Sequence, residues 1–220
     1  MNFDPPKSEE QLWQRARDLA GRTIGELGEW CGQEVPTSTQ RAKGFVGTLV
    51  ERCLGGDAGN ADGPDFAALC VELKTIPVTR KGRPKESTFV SSISLGDADS
   101  IEWRQSRVLR KLRRVLWVPV ESDPRLPLPT RRVGHPVLWS PTTDQEAMLR
   151  HDWEELMGLV GSGQLEQITA HLGEVLQVRP KAASSRVRTT GIDAQGFVRT
   201  LPLGFYLRSS FTAQIIAGAK

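Results

Sequence analysis

Apolar positions along the chain recur at two spacings, one suited to helices and one to strands. Ser8-Glu9-Glu10-Gln11 reads as a capping box that opens a helix with Leu12, Ala16, Leu19 and Ala20 on one face, ended by Gly21. A short helix follows Thr23, with Glu26 placed to complete its cap, and residues 44–54 form a third, closed by Gly55-Gly56. The pattern then turns to short, partly alternating apolar runs. PDFAAL and VELKTIP read as two strands, or one bent strand, stopped by Pro77. Residues 87–94 and 115–120 predict further strands, and 137–141 another, while Val108, Leu109 and Leu112 give residues 106–114 a helical spacing among basic residues. Residues 142–160 form a helix capped by Thr142 or Thr143, and a shorter one runs to about His171. Residues 174–180 are a strand, the next 20 residues are rich in loops, and the chain ends in a turn and a helix. Helices mixed with a central sheet make the class α/β or α+β.

Composition narrows this reading. A chain of 220 residues that is 38% hydrophobic, with six Trp and seven Phe, buries a substantial core and is not disordered. Its length suits one domain, or one domain divided into two lobes. The absence of a run of about 18 apolar residues argues against a membrane-spanning helix, and the polar, acidic start is unlike a signal peptide. Cys31, Cys53 and Cys70 are far apart and none lies in a C-x-x-C pair, so they are expected to be unpaired, small buried hydrophobes in a reducing cytoplasm. Charge is uneven. Residues 1–76 carry 8 Lys/Arg against 12 Asp/Glu, a balance of −4, and residues 77–220 a balance of +7. An acidic half able to hold a cation and a basic half able to hold a polyanion fit that asymmetry.

The stretch from Pro64 to Lys74 carries the most chemistry. Residues two apart on a strand share a face, so Glu72 and Lys74 project together, with Val71, Leu73 and Ile76 expected to face the other way. Asp65 lies at a strand start just after a proline, where a bend can bring its carboxylate beside that of Glu72. Two carboxylates held close suit a divalent cation such as Mg²⁺, and Lys74 can stabilise negative charge or help orient and deprotonate an attacking water. Glu51, on the preceding helix, can add a further carboxylate. A strand E-x-K pair also fits a solvated salt bridge worth under about 1 kcal/mol; here the acids sit between apolar runs, which favours a central strand.

Two basic stretches stand out. Residues 104–114 hold Arg104, Arg107, Arg110, Lys111, Arg113 and Arg114 and no acid, which suits either phosphate contacts or the solvated face of an amphipathic helix. Residues 179–208 add Arg179, Lys181, Arg186, Arg188, Arg199 and Arg208 against the single Asp193, in a loop following a strand. Trp117, Trp139 and Trp153 read as core. His135 and His151 lack a partner at ligand spacing.

GFVGTLVERCLG, DFAALCVELKTIP, GRPKESTFV, VLRKLRRVLWVPVE, VLWSP, DWEELM, QVRPKAA and LPLGFYL follow one another along the chain. Together they resemble the MutH family over nearly its whole length. The resemblance implies a restriction-endonuclease-like α/β fold with a central mixed sheet flanked by helices and two lobes around a DNA cleft: an N-terminal lobe of about 1–105 and a C-terminal lobe of about 106–220. It implies a Mg²⁺-dependent endonuclease of DNA mismatch repair that nicks the unmethylated strand at hemimethylated GATC sites, activated by MutL and indirectly by MutS, as a cytoplasmic monomer. By residue, Asp65 and Glu72 are the implied metal-binding carboxylates, Lys74 the catalytic lysine and Glu51 the helix glutamate of the active site. Lys43, Arg179 and Lys181 are implied DNA contacts, and Tyr206 an implied sensor of adenine methylation. The family commonly has a basic residue where this chain has Leu203, and the loop 184–200 differs in length and content. A GATC-type restriction endonuclease making double-strand breaks and a non-catalytic DNA-binding module are the other readings of the same residues.

Overall fold

The computed structural model describes residues 3–36, 44–56, 63–93, 102–169, 171–181, 189–193, 196–200 and 202–218, with backbone alone for 189–193 and 196–200. The class is mixed α/β, and the chain forms two compact units. The first comprises residues 1–86, 113–140 and 213–220, the second 87–112 and 141–212. The expected single boundary near residue 105 is replaced by an interleaved division. In keeping with the expected restriction-endonuclease-like class, a mixed sheet lies in the first unit, and an antiparallel sheet and a separate hairpin lie in the second.

In the first unit, helices α1 (Glu9–Leu19), α2 (Ile24–Cys31) and α3 (Phe45–Leu54) cover one face of a sheet ordered β1 (Glu72–Val78), β3 (Val115–Glu121) and β4 (Val137–Trp139). Ser8 caps α1 by accepting the Gln11 N–H, but the Gln11 side chain accepts from Lys7 N–H, so the expected box is not closed on Ser8. Thr23 and Glu26 do close theirs on α2. A left-handed Gly55 (φ 82°) ends α3, and Arg15 of α1 donates to the carbonyls of Asp4 and Leu54, satisfying one of the helix's terminal acceptors. Cys31 and Cys53, expected to be unpaired, form a disulfide across the α2–α3 contact, with Cα atoms 6.2 Å apart; Cys70 is free and exposed. Sequence separation gave no hint of this, because helix packing brings them together.

Strands β1 and β3 run parallel, Glu72 opposite Val115 through Val78 opposite Glu121, and β4 adds antiparallel to β3. Central β3 is buried from Val115 to Val120, as its unbroken apolar run predicts. Both Pro77 and Pro119 lie within strands, so Pro77 does not stop β1. PDFAAL is not a strand: Ala67–Leu69 form one 3-10 turn.

In the second unit, β8 (Leu203–Leu207) lies between β2 (Thr88–Ser92) and β5 (Leu176–Pro180), both antiparallel to it. Helix α4 (Arg107–Leu112) packs on β2, and α5 (Thr143–Gly161), closed by a Thr142–Gln145 capping box, packs on β5. The predicted helix up to His171 is only a 3-10 turn at Leu165–Gln167. The loop-rich segment contains a hairpin of β6 (Thr189–Asp193) and β7 (Gly196–Thr200), and α6 (Ser209–Ala217) follows β8. Among the described residues no helix is long and apolar enough to cross a membrane.

Arg114 links α1 to the strand that carries the acids. Its guanidinium binds both Glu9 oxygens, Nε–Oε2 at 2.7 Å and Nη2–Oε1 at 2.5 Å, and its carbonyl accepts the Glu72 N–H at 2.9 Å. The hydrogen bond to Arg114 holds the Glu9 carboxyl below its ordinary 4.5. Because the folded value is depressed, the pair stabilises fully above 4.5 and loses its effect as pH falls through the folded value. Glu9→Gln is expected to lower Tm by about 1–3 °C near neutrality, a small effect because the pair is partly exposed, with the gap to the parent closing as pH falls below the ordinary 4.5. Thermal unfolding followed by circular dichroism across that range checks this; a gap that widens in acid refutes it.

Candidate active site and nucleic-acid face

Six residues, 66–71, separate Asp65 from the start of β1 at Glu72, and they fold into a tight reversal. Phe66 and Val71 exchange backbone hydrogen bonds around the 3-10 turn, and Cys70 adopts φ 54°, the one non-glycine positive φ among the described residues. That conformation costs of the order of 1 kcal/mol and is held by the closed turn. The reversal lets Asp65 Oδ2 accept the Leu73 N–H at 2.8 Å, which places its carboxylate against the backbone between Glu72 and Lys74. The chain thus bends between Asp65 and β1, as the sequence suggests, with the carboxylate on the Leu73 N–H.

Glu72 is 2% exposed, and its Oε1 accepts from Lys74 Nζ at 2.5 Å. The two side chains therefore share a face of β1, as the strand period requires. Val71 and Leu73 join the apolar cluster beneath α1–α3. Ile76, expected there too, is not part of it: four residues from Glu72, it shares the face of Glu72 and Lys74 and is 1% exposed. The pair is thus no solvated salt bridge, since a carboxylate buried this deeply requires compensation.

Glu51 lies in the last part of α3, which packs on β1. Its side chain folds over Gly56, where a Cβ would come within 2.5 Å of the Glu51 Cγ. Among the described residues no three His, Cys, Asp or Glu side chains converge as a metal cage. The candidate centre is the Asp65–Glu72 pair, a set of hard oxygen donors that fits Mg²⁺, an ion that keeps several waters and takes one or two carboxylates. Lys43 lies outside the described residues.

The remaining predicted residues meet on one face of the second unit's sheet. In register, Tyr206 stands between Phe89 and Gln177, and Gly204 between Ser92 and Arg179. Arg179 Nη1 donates to Ser87 Oγ at 3.2 Å, and Lys181 Nζ donates to Ser92 Oγ at 2.8 Å while lying 4.4 Å from the centre of the Phe89 ring. Phe89 and Tyr206 pack edge to face, centroids 5.3 Å apart, and Phe89 also covers Gly204, where a Cβ would meet its ring at 2.9 Å. Arg179 and Lys181 are exposed. Ser87, Phe89, Ser92 and Gln177 were not singled out from the sequence. Their only signal was membership of the STFVSS and EVLQVRP strands, and an unpaired strand does not say what it will lie beside.

Burial pushes the Tyr206 phenol above its ordinary 10.0, while the charge of Arg179 pulls it down. Tyr206 is the only tyrosine, so its ultraviolet ionisation reads this face alone. Its titration is expected above pH 10, and Arg179→Met is expected to move it higher; a shift downward refutes the juxtaposition.

Comparison with known proteins identifies the family. Residues 54–152 match the family model described as DNA mismatch repair enzyme MutH. DNA mismatch repair protein MutH of Klebsiella pneumoniae subsp. pneumoniae is 52% identical over 214 residues, 97% of this chain and 93% of that protein. MutH proteins of Escherichia coli and Histophilus somni are each 50% identical, covering 98% and 96% of this chain and 94% and 95% of their own lengths. Identity at that level over almost the full length means that the chain belongs to the MutH family of DNA mismatch repair endonucleases.

Proposed function

We propose that this endonuclease nicks the unmethylated strand at hemimethylated GATC sites, with Mg²⁺ as cofactor and under the control of MutL and, indirectly, MutS. The observation that carries the reading is the buried Glu72–Lys74 pair beside a turn-held Asp65. Such a set of two carboxylates and a cation on one strand face suits hydrolysis of a phosphodiester. Asp65 and Glu72 would hold Mg²⁺, which supplies Lewis acidity toward the scissile phosphate and acidifies water. Lys74 offers a positive charge to the phosphate oxygens and orients or deprotonates the attacking water, in line with the leaving 3′ oxygen. Glu51 adds a carboxylate from α3. Lys43, Arg179 and Lys181 bind the duplex, largely through phosphates. Tyr206, packed on Phe89 beside Arg179, is a compact, partly apolar surface suited to reading the presence of a methyl group. One such site per chain suits a cytoplasmic monomer that cuts one strand.

A nicking assay tests this, using supercoiled plasmid and a linear duplex with one hemimethylated GATC, with and without MutL and with Mg²⁺ present or chelated. Cutting confined to the unmethylated strand, dependent on Mg²⁺ and stimulated by MutL, is expected. Lys74→Ala and Glu72→Gln are expected to lose roughly 10²–10⁴-fold in rate while still binding the duplex. Breaks in both strands would mark a restriction endonuclease, and binding without cleavage a DNA-binding module.

A further inference from the structure

We propose that Asp152 and Arg208 are positioning residues: together they clamp the turn at 172–176 and so set the register in which β5 presents Arg179 and Lys181. The inference rests on the DNA-contacting role given above to that strand.

Asp152 projects from the apolar side of α5, where its neighbours Leu149, Trp153 and Leu156 are core, yet it is a carboxylate with 2% exposure. A carboxylate buried among hydrophobic side chains is costly unless its oxygens are bonded. Here three consecutive backbone N–H groups meet it, Glu174 at 2.9 Å on Oδ1, and Val175 at 2.7 Å and Leu176 at 2.8 Å on Oδ2. From the other side Arg208, immediately after β8, donates Nε to the Gly173 carbonyl at 2.8 Å and Nη2 to the Leu172 carbonyl at 2.9 Å. The Arg208 N–H donates to Val175 O at 2.9 Å. The turn thus has its donors turned to an anion and its acceptors to a cation. Gly173, at φ 76°, completes it, since a Cβ there would lie 1.9 Å from Leu176 O.

What the clamp fixes is the point at which β5 begins. Leu176 is bonded to Asp152 and opposite Leu207; from that pairing Gln177 falls opposite Tyr206 and Arg179 opposite Gly204. A slip of one residue would invert every side chain of β5, moving Arg179 off the face that carries Tyr206 and placing Val178 on it. Hydrophobic packing alone resists such a slip weakly here, since Leu176, Gln177 and Val178 are all buried. The carboxylate adds a directional constraint, because only an acceptor without donors can take three N–H groups.

The test is Asp152→Asn in the full chain, which keeps shape but leaves one acceptor oxygen and adds two donors facing donors. The KM for a GATC duplex is expected to rise about 10- to 100-fold with kcat within about two-fold. Adding Asp152→Asn to an Arg179→Ala/Lys181→Ala chain should raise KM little further, because the clamp acts through those two side chains. Hydrogen exchange is expected to quicken at amides 174–181 while β1 and β3 keep parental protection. A general structural role predicts instead a fall in kcat with KM unchanged, additive effects, or protection lost in β1 and β3 as well, and any of these overturns the proposal. Arg208→Gln, which loosens the turn from its carbonyl side, should raise KM in the same way and serves if Asp152→Asn does not fold; a parental KM there overturns the proposal equally. A parent chain that nicks DNA alongside an Asp152→Asn chain of parental KM removes the positioning role alone, whereas a parent that neither binds nor nicks DNA removes the functional reading on which it rests.

Discussion

Parallel pairing of β1 with β3 is the constraint on which the first unit depends, and much of the chain's route follows from it. Two parallel strands cannot be joined by a tight turn and need a crossover of a dozen or more residues. The crossover here runs from 79 to 114, and residues 87–112 within it build part of the second unit. The units are interleaved for that reason. The same pairing places β3 between two neighbours, buries it, and leaves β1 with one face against helices and the other carrying Glu72 and Lys74.

Several charged groups among the described residues are held by backbone. Asp65 takes the Leu73 N–H, Asp152 takes three N–H groups at the head of β5, and Arg15 and Arg208 bind carbonyls at a helix end and a turn. Backbone donors do not move between rotamers, so a carboxylate bonded to them is fixed in direction as well as in place. At Asp65 and at the head of β5 this is a stiffer device than a surface ion pair. Glu72 and Lys74 differ in that their side chains pair with each other on one strand face.

The sequence by itself determined the strongly periodic elements and singled out Asp65, Glu72 and Lys74 as candidates. Helices α1, α2, α3 and α5 announce themselves through caps and an apolar face, and β3 through an unbroken apolar run, because these signals are local and physical. Spacing alone put Glu72 and Lys74 on one side of a strand, and order along the chain gave the family resemblance that full-length identity then established.

Tertiary structure decided what depends on partners distant in sequence. PDFAAL looked like a strand, but Phe66 pairs with Val71 and the segment closes into a turn. Strand β8 was unreadable as a strand because its support comes from β2 and β5 on either side, and the β6–β7 hairpin because its segment is polar and rich in loop formers. The Cys31–Cys53 pairing depends on helix packing, and the gathering of Phe89, Lys181, Arg179 and Tyr206 on register across three strands. Local sequence fixes which conformation a segment prefers; which segments lie side by side is set by the burial of faces whose partners lie far away along the chain, and only the folded chain displays that choice.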